Sequence, residues 1–305
     1  MANGIAAIGE CMIELSGQST QVWRMGFAGD TFNTLWAMRA LSPGHHVDFV
    51  SAFGDDPFSA DQIAFFREHD IGVASSPVIA GARPGLYAIK LTGAERSFTY
   101  WRGDAAARQL ASDPAALAKS LENRALVYFS GITLAILEPA ARRTLLKAIE
   151  AVRAHGTHVA FDPNYRARLW PDVATAREAI GEALKVTDMA LPTFPDEQEL
   201  HGDASPEDTV ARLEKAGVAE IVVKNGEKEA LVSHYDDTVP VPAISVLPVD
   251  TTGAGDSFNG AYLSARLLGI APVEAAKRAH RVAGAVVQVR GALAPFDILK
   301  LAFDR

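Results

Sequence analysis

Residues Ala125-Leu126-Val127-Tyr128-Phe129 form an unbroken apolar run of strand length, and the same texture returns at His158–Phe161, Met189–Leu191 and Glu220–Lys224. Between these runs lie longer stretches with helical periodicity, Glu138–His155, Val173–Lys185 and Pro206–Ala216. A strand that is apolar at every position needs cover on both faces, and helices alternating with strands supply it. The expected class is α/β: a doubly wound, mostly parallel sheet with helices on both faces. Ligands in such sheets bind beyond the carboxyl ends of the strands.

Working outward toward the N-terminus, Ile5–Gly9 reads as a buried strand and Val47–Phe53 as another. Thr31–Leu41 reads as a helix with Asp30 as its N-cap, and Pro57–His69 as a helix with proline in its first turn. Residues 73–101 differ in texture. Val73–Ile79, Gly85–Leu91 and Arg96–Trp101 are short strand patterns separated by turn-rich segments, with no helix between them. They predict a small antiparallel sheet, joined by strands near 12–15 and 21–27. Toward the C-terminus, Gly253–Leu268 and Pro272–Val289 read as helices. No repeat or Pro/Ser-rich linker divides the chain. Residues 1–305 are therefore expected to form one domain, carrying a β appendage made of segments about 12–27 and 73–102.

The composition narrows the function. Mean hydropathy is +0.07 and 49% of the 305 residues are hydrophobic, enough for one large core. Net charge is −8, which argues against nucleic-acid and anionic-membrane partners, since both need a positive field. The single cysteine, Cys11, excludes an intrachain disulfide and fits a reducing, cytoplasmic setting. Residues 1–5 carry no basic segment of the kind that opens a secretory leader. The eight histidines show no metal-ligand spacing.

The chemistry concentrates in Val249-Asp250-Thr251-Thr252-Gly253-Ala254-Gly255-Asp256-Ser257-Phe258. Two glycines around Ala254 let the backbone approach an anion closely, and the segment opens a helix whose free N–H groups and positive dipole end favour that anion. A carboxylate at Asp256 can then accept a hydroxyl proton while the amides of 253–255 stabilise transferring charge.

This string resembles the C-terminal motif of the ribokinase-like (PfkB) carbohydrate kinase family. Gly9-Glu10 and Ala28-Gly29-Asp30-Thr31-Phe32-Asn33 resemble its N-terminal landmarks, with Ala28 in place of the first glycine. The resemblance spans nearly the whole chain. It implies a ribokinase-like α/β domain with a β-sheet lid, ATP and Mg2+ as cofactors, Asp256 as catalytic base, and Gly253, Ala254 and Gly255 as the anion hole. It also implies that Gly29, Asp30 and Asn33 bind sugar hydroxyls, and that Lys224 and Gly226, in the turn after a strand, border ATP. The family's Asn-x-x-Glu motif, which helps arrange Mg2+, is matched by Thr193-Phe194-Pro195-Asp196. Both polar positions are altered, leaving Asp196 an indirect metal role. Lids of this type often pair between subunits, so a homodimer is expected.

Two further strings, Thr99-Tyr100-Trp101-Arg102 and Phe161-Asp162-Pro163-Asn164-Tyr165-Arg166-Ala167-Arg168-Leu169-Trp170, resemble the 2-keto-3-deoxygluconate kinases of that family, as does Arg83-Pro84-Gly85-Leu86-Tyr87. The resemblance assigns Gly29, Tyr87, Tyr100, Arg102 and Arg166 to a sugar acid, and Asn164 and Arg166 to the ATP phosphates. The planar fork of arginine suits a carboxylate. The expected reaction is phosphorylation of the C6 hydroxyl of the keto-deoxy acid. A kinase of fructose or ribose, or of the C4-epimeric acid, is the alternative within the class. An inactive sugar-acid sensor is opposed by the intact Asp256. A dinucleotide oxidoreductase is opposed by the lack of Gly-x-Gly-x-x-Gly after the first strand.

Overall fold

A computed structural model describes residues 2–17, 21–92, 95–235 and 237–305. Its strands, in chain order, are β1 (Gly4–Ile8), β2 (Met12–Gly17), β3 (Trp23–Ala28), β4 (His46–Val50), β5 (Phe53–Gly54), β6 (Ile71–Gly72), β7 (Val78–Ile79), β8 (Leu86–Thr92), β9 (Glu95–Trp101), β10 (Arg124–Ser130), β11 (His158–Asp162), β12 (Met189–Ala190), β13 (Glu220–Val223), β14 (Ala230–His234) and β15 (Asp237–Val241). The α-helices are α1 (Asp30–Leu41), α2 (Pro57–Glu68), α3 (Pro114–Leu121), α4 (Gly131–Ile136), α5 (Pro139–Arg153), α6 (Val173–Leu184), α7 (Phe194–His201), α8 (Pro206–Lys215), α9 (Ala254–Leu267), α10 (Pro272–Val286) and α11 (Phe296–Asp304).

Among the described residues the large sheet runs β15-β14-β13-β12-β11-β10-β1-β4-β6. Strands β6 through β13 are parallel, and the β13-β14-β15 edge is antiparallel. Side-chain alternation sends Ile5 and Ala7 of β1 to one core and Ala6 and Ile8 to the other. Strand β10 divides likewise, Leu126 and Tyr128 against Val127 and Phe129. Helices α1, α9, α10 and α11 close the first core, with Phe32 and Tyr262 fully buried. The helices between β10 and β13 close the second. No helix among the described residues is long and apolar enough to cross a membrane.

The small sheet has the order β3-β2-β8-β9. Two expectations change here. Strands β2 and β8 pair in parallel, so the sheet is mixed instead of antiparallel throughout. The segment 73–79 does not belong to it: β7 pairs with β5, and β6 extends the large sheet. The turn-rich stretch Ala80–Pro84 separates β7 from β8, so the second segment of the appendage begins at Leu86. Residues 18–20 and 93–94 of the expected lid lie outside the described residues.

The small sheet has two unlike faces. Glu14, Tyr87, Ile89, Phe98 and Tyr100 share one, by register. Leu15, Trp23, Met25, Leu86 and Trp101 share the other. At the root of that second face Ile13 and Phe27 are buried, and the Phe27 ring lies 5.4 Å from that of Phe65 on α2.

Candidate active site

The N-termini of α1 and α9 meet over the carboxyl end of the large sheet. Asn33 on α1 donates from Nδ2 to Asp256 Oδ2 on α9 at 2.8 Å, and accepts at Oδ1 from the Gly29 N–H at 3.3 Å. Gly29, not Asp30, is the N-cap of α1, with extended backbone and no side-chain cap bond. Only glycine fits there, because a Cβ would sit 2.0 Å from the Glu10 carbonyl oxygen. Asp30 stands one residue inside the helix and accepts from Asn164 Nδ2 at 2.8 Å.

The loop before α9 is fixed by Asp250. Its carboxylate accepts from the Thr252 N–H and the Gly291 N–H, both at 2.9 Å. Gly253 caps α9 at φ 74°, a left-handed backbone natural to glycine. A Cβ there would also press on Ala292, 2.9 Å from its carbonyl oxygen. Of the first-turn amides of α9, the Ala254 N–H bonds the Thr251 carbonyl at 3.3 Å, and those one step further in lack helical acceptors and can meet an anion.

A second network lies beneath. Asp162, at the end of β11, accepts from Lys224 Nζ at 2.6 Å, Asn259 Nδ2 at 2.7 Å and the Asn164 N–H at 3.0 Å. Lys224 also reaches Asn259 Oδ1 at 2.9 Å, and Asn259 Nδ2 lies 3.1 Å from the Tyr128 hydroxyl. Lys224 is therefore a buried cation within a carboxylate cluster, and its ammonium faces Asp162. Gly226 follows in a left-handed turn at φ 62°, beside an open cleft of about 410 Å³ lined by Asn225, Lys228, Glu229 and Pro206.

Burial strips water from Asp256, and the neighbouring Asp30 and Asp162 add repulsion. Its carboxyl is pushed up to about 7, the Asn33 hydrogen bond and Lys224 opposing the rise. Burial raises Asp30 as well, against hydrogen bonds from Ser130 and Asn164. A carboxylate that titrates near neutrality, beside a helix N-terminus, is matched to accepting a proton from an alcohol.

Arg102 and Arg166 take different partners. Arg102 pairs with Glu10, in the turn between β1 and β2, and Glu10 is 2% exposed. Burial raises the Glu10 carboxyl, with Arg102 pulling the other way. Arg166 donates from Nη1 to Asp196 Oδ2 at 2.8 Å and to the Tyr165 carbonyl at 2.6 Å. Tyr87 donates to Glu14, and its ring stacks on Tyr100 with centroids 5.7 Å apart.

The sequence reading assigned no role to Asp162, Asn259, Tyr128, Glu14 or Asp250. Two of them carried a usable signal. Asp162 ends an apolar strand where parallel sheets place ligands. Asn259 follows Asp256 by three positions, on the same helix face. Tyr128 sits in an apolar run and gives none.

The fold and this site define a sugar-kinase architecture. The model of the pfkB family carbohydrate kinases matches residues 2–299, and the chain belongs to that family. Among curated proteins it is 42% identical to a 2-dehydro-3-deoxygluconokinase of Escherichia coli, over 98% of this chain and 99% of that protein. It is 35% identical to one of Haemophilus influenzae, over 95% of each. A solved 2-dehydro-3-deoxygluconokinase of Thermotoga maritima has the same fold at a TM-score of 0.87, with 18% identity over 100% of this chain and 99% of that one. A fructokinase of Xylella fastidiosa with bound ATP matches at 0.83, with 21% identity over 98% and 95%.

Proposed function

We propose that the protein transfers the γ-phosphoryl group of ATP to the C6 hydroxyl of 2-dehydro-3-deoxy-D-gluconate. The observation that carries this reading is 42% identity over 98% of the chain to an enzyme of that name, joined to an intact Asp256 at the N-terminus of α9. Asp256 orients the hydroxyl and accepts its proton. The backbone amides of Gly253, Ala254 and Gly255 meet the transferring charge. Gly29, Asp30 and Asn33 hold sugar hydroxyls, and Tyr87 and Tyr100 cover them from the inner face of the small sheet, which acts as a lid. Arg102 and Arg166 serve the acid end. Asn164 and Arg166 face the phosphates, with Gly226 bordering the nucleotide. Lys224, whose ammonium Asp162 holds at 2.6 Å, borders the nucleotide beside Gly226.

Among the described residues no group of three His, Cys, Asp or Glu side chains could hold a metal by itself. A Mg2+ ion entering with ATP would rest on phosphate oxygens and water, with Asp196 reaching it through a water. Bound there, it would shield phosphate charge.

The decisive experiment is a phosphorylation screen with 2-dehydro-3-deoxy-D-gluconate, its C4 epimer, fructose and ribose. The acid should exceed the neutral sugars in kcat/KM by at least 10-fold; equal rates would displace the sugar-acid reading. The exposed Trp23, Met25 and Trp101, at 42%, 43% and 57%, lie on the lid's outer face and suit pairing with a second copy. A homodimer in sedimentation is expected, and a monomer at micromolar concentration would refute it.

A further inference from the structure

Apart from the apolar packing of Tyr87 and Ile89 with Ala292, two charged contacts cross from the large domain to the lid among the described residues, and they differ in kind. Arg102–Glu10 sits where β2 and β9 join the large domain, with side chains 12% and 1% exposed. Buried pairs of this sort do not open and close readily, because separation strands a charge in the interior. The other contact is Arg168, whose guanidinium lies 4.1 Å from the centroid of the Tyr100 ring. Arg168 is exposed, and no ion pair holds it among the described residues.

Both partners of this second contact stand on fixed supports. Arg168 lies on a short 3-10 turn, Ala167–Leu169, between buried Tyr165 and buried Trp170. The turn is closed by Leu169 N–H to Arg166 O at 2.9 Å and Trp170 N–H to Ala167 O at 3.1 Å. Trp170 is covered in turn by the Arg142 guanidinium at 4.9 Å. On the lid, Tyr100 stacks on Tyr87 and Phe98, and Tyr87 is tethered to Glu14. One solvent-facing cation therefore joins the turn after β11 to the aromatic row of the lid.

We propose that Arg168 is a positioning residue that clasps the lid over the site by seating on Tyr100. An exposed cation–π contact shifts an open–closed balance by roughly 2- to 5-fold. That is strong enough to bias closure and weak enough to release at each turnover. Its kinetic consequence rests on the sugar-acid kinase reading; its structural consequence does not.

The structural arm is hydrogen exchange on the ligand-free protein. In Arg168→Met, amides of residues 97–101 should exchange roughly 2- to 5-fold faster, with the large sheet unchanged. Tyr100→Phe keeps the ring and should leave exchange as in the wild type. Arg168→Met added to Tyr100→Leu should cause no further change. The kinetic arm is the KM–kcat split: Arg168→Met should raise KM for the sugar acid about 2- to 5-fold, raise ATP hydrolysis uncoupled from sugar phosphorylation, and be partly rescued by Arg168→Lys. Unchanged exchange in Arg168→Met, or additive effects in the double variant, would overturn the clasp. Failure of the wild type to phosphorylate the acid would overturn the function reading and leave the exchange test standing.

Discussion

Strand β10 is buried at every position but one, whereas β9 of the lid leaves Phe98 and Trp101 in contact with solvent. The groups these two regions support differ in the same way. Those at the end of the large sheet are interlocked: Asp162 receives three hydrogen bonds, and Asp256, Asn33, Asp30 and Asn164 pair across elements. Beyond its buried root at Arg102, the lid meets the large domain through apolar packing of Tyr87 and Ile89 with Ala292 and through one exposed arginine seated on Tyr100. Interlocked groups keep fixed geometry and perturbed basicity, which proton transfer needs. Loosely joined ones can admit and release a substrate. In the proposed reading, the contrast suits the groups at the end of the large sheet to proton transfer and the small sheet to admitting and covering the substrate.

The hardest test of that division is Asp256→Asn. It should cut kcat by about 10²-fold or more, the scale for losing a positioned base, with substrate affinity near normal. The same substitution should stabilise the fold. A carboxyl raised from 3.8 to about 7 binds its proton more tightly when folded, so its contribution falls as pH rises through that window. Asn removes that penalty. The melting temperature should therefore rise at pH 8, by an equivalent of about 1–2 kcal/mol after allowance for partial solvent access, and little at pH 4. Near-normal turnover, or a stability gain equal at both pH values, would break the assignment of Asp256.

Arg102 tests the boundary between the regions. Arg102→Ala leaves Glu10 charged and buried, with one carboxylate oxygen already lacking a partner, and should destabilise by about 3–5 kcal/mol. Adding Glu10→Gln should restore much of that loss in thermal melts. A lost contact to the substrate carboxylate should lower kcat/KM for the acid by about 10- to 150-fold, with little effect on residual fructose turnover. Equal loss on both would make Arg102 a purely structural tie at the lid root.

Which parts were legible in the sequence follows from the range of the interactions involved. The parallel sheet was readable from local apolar runs, and the Asp250–Phe258 string holds a helix start and its anion-facing amides within ten residues. The lid strands were readable as strands. The edge to which 73–79 belongs was not, because pairing partners are set by three-dimensional neighbours. The hairpin β14–β15 was also missed, although its two strands follow each other directly along the chain. Arg102 and Lys224 were singled out in the sequence, but their partners Glu10 and Asp162 lie 92 and 62 positions away. Residue type alone does not reveal that a cation is already paired.

The smallest expected effect probes how the interlocked cluster sets basicity. Asn33 holds Asp256 by one hydrogen bond, and that bond opposes the rise caused by burial and by Asp30. Asp256 works as a base only when ionised, so kcat/KM should climb with pH through its pKa and level off above it. In the wild type the midpoint should fall near 7. In Asn33→Ala the charged form loses a donor, so the midpoint should move up by about one unit. Turnover at pH 6.5 would then drop by nearly 10-fold, and most of the deficit would vanish by pH 9. In the proposed reading Asn33 also holds a sugar hydroxyl, and losing that contact would lower the plateau without moving the midpoint. A lower plateau with an unmoved midpoint would show that Asn33 serves recognition alone, and would carry one member of the interlocked cluster across to the side of the lid.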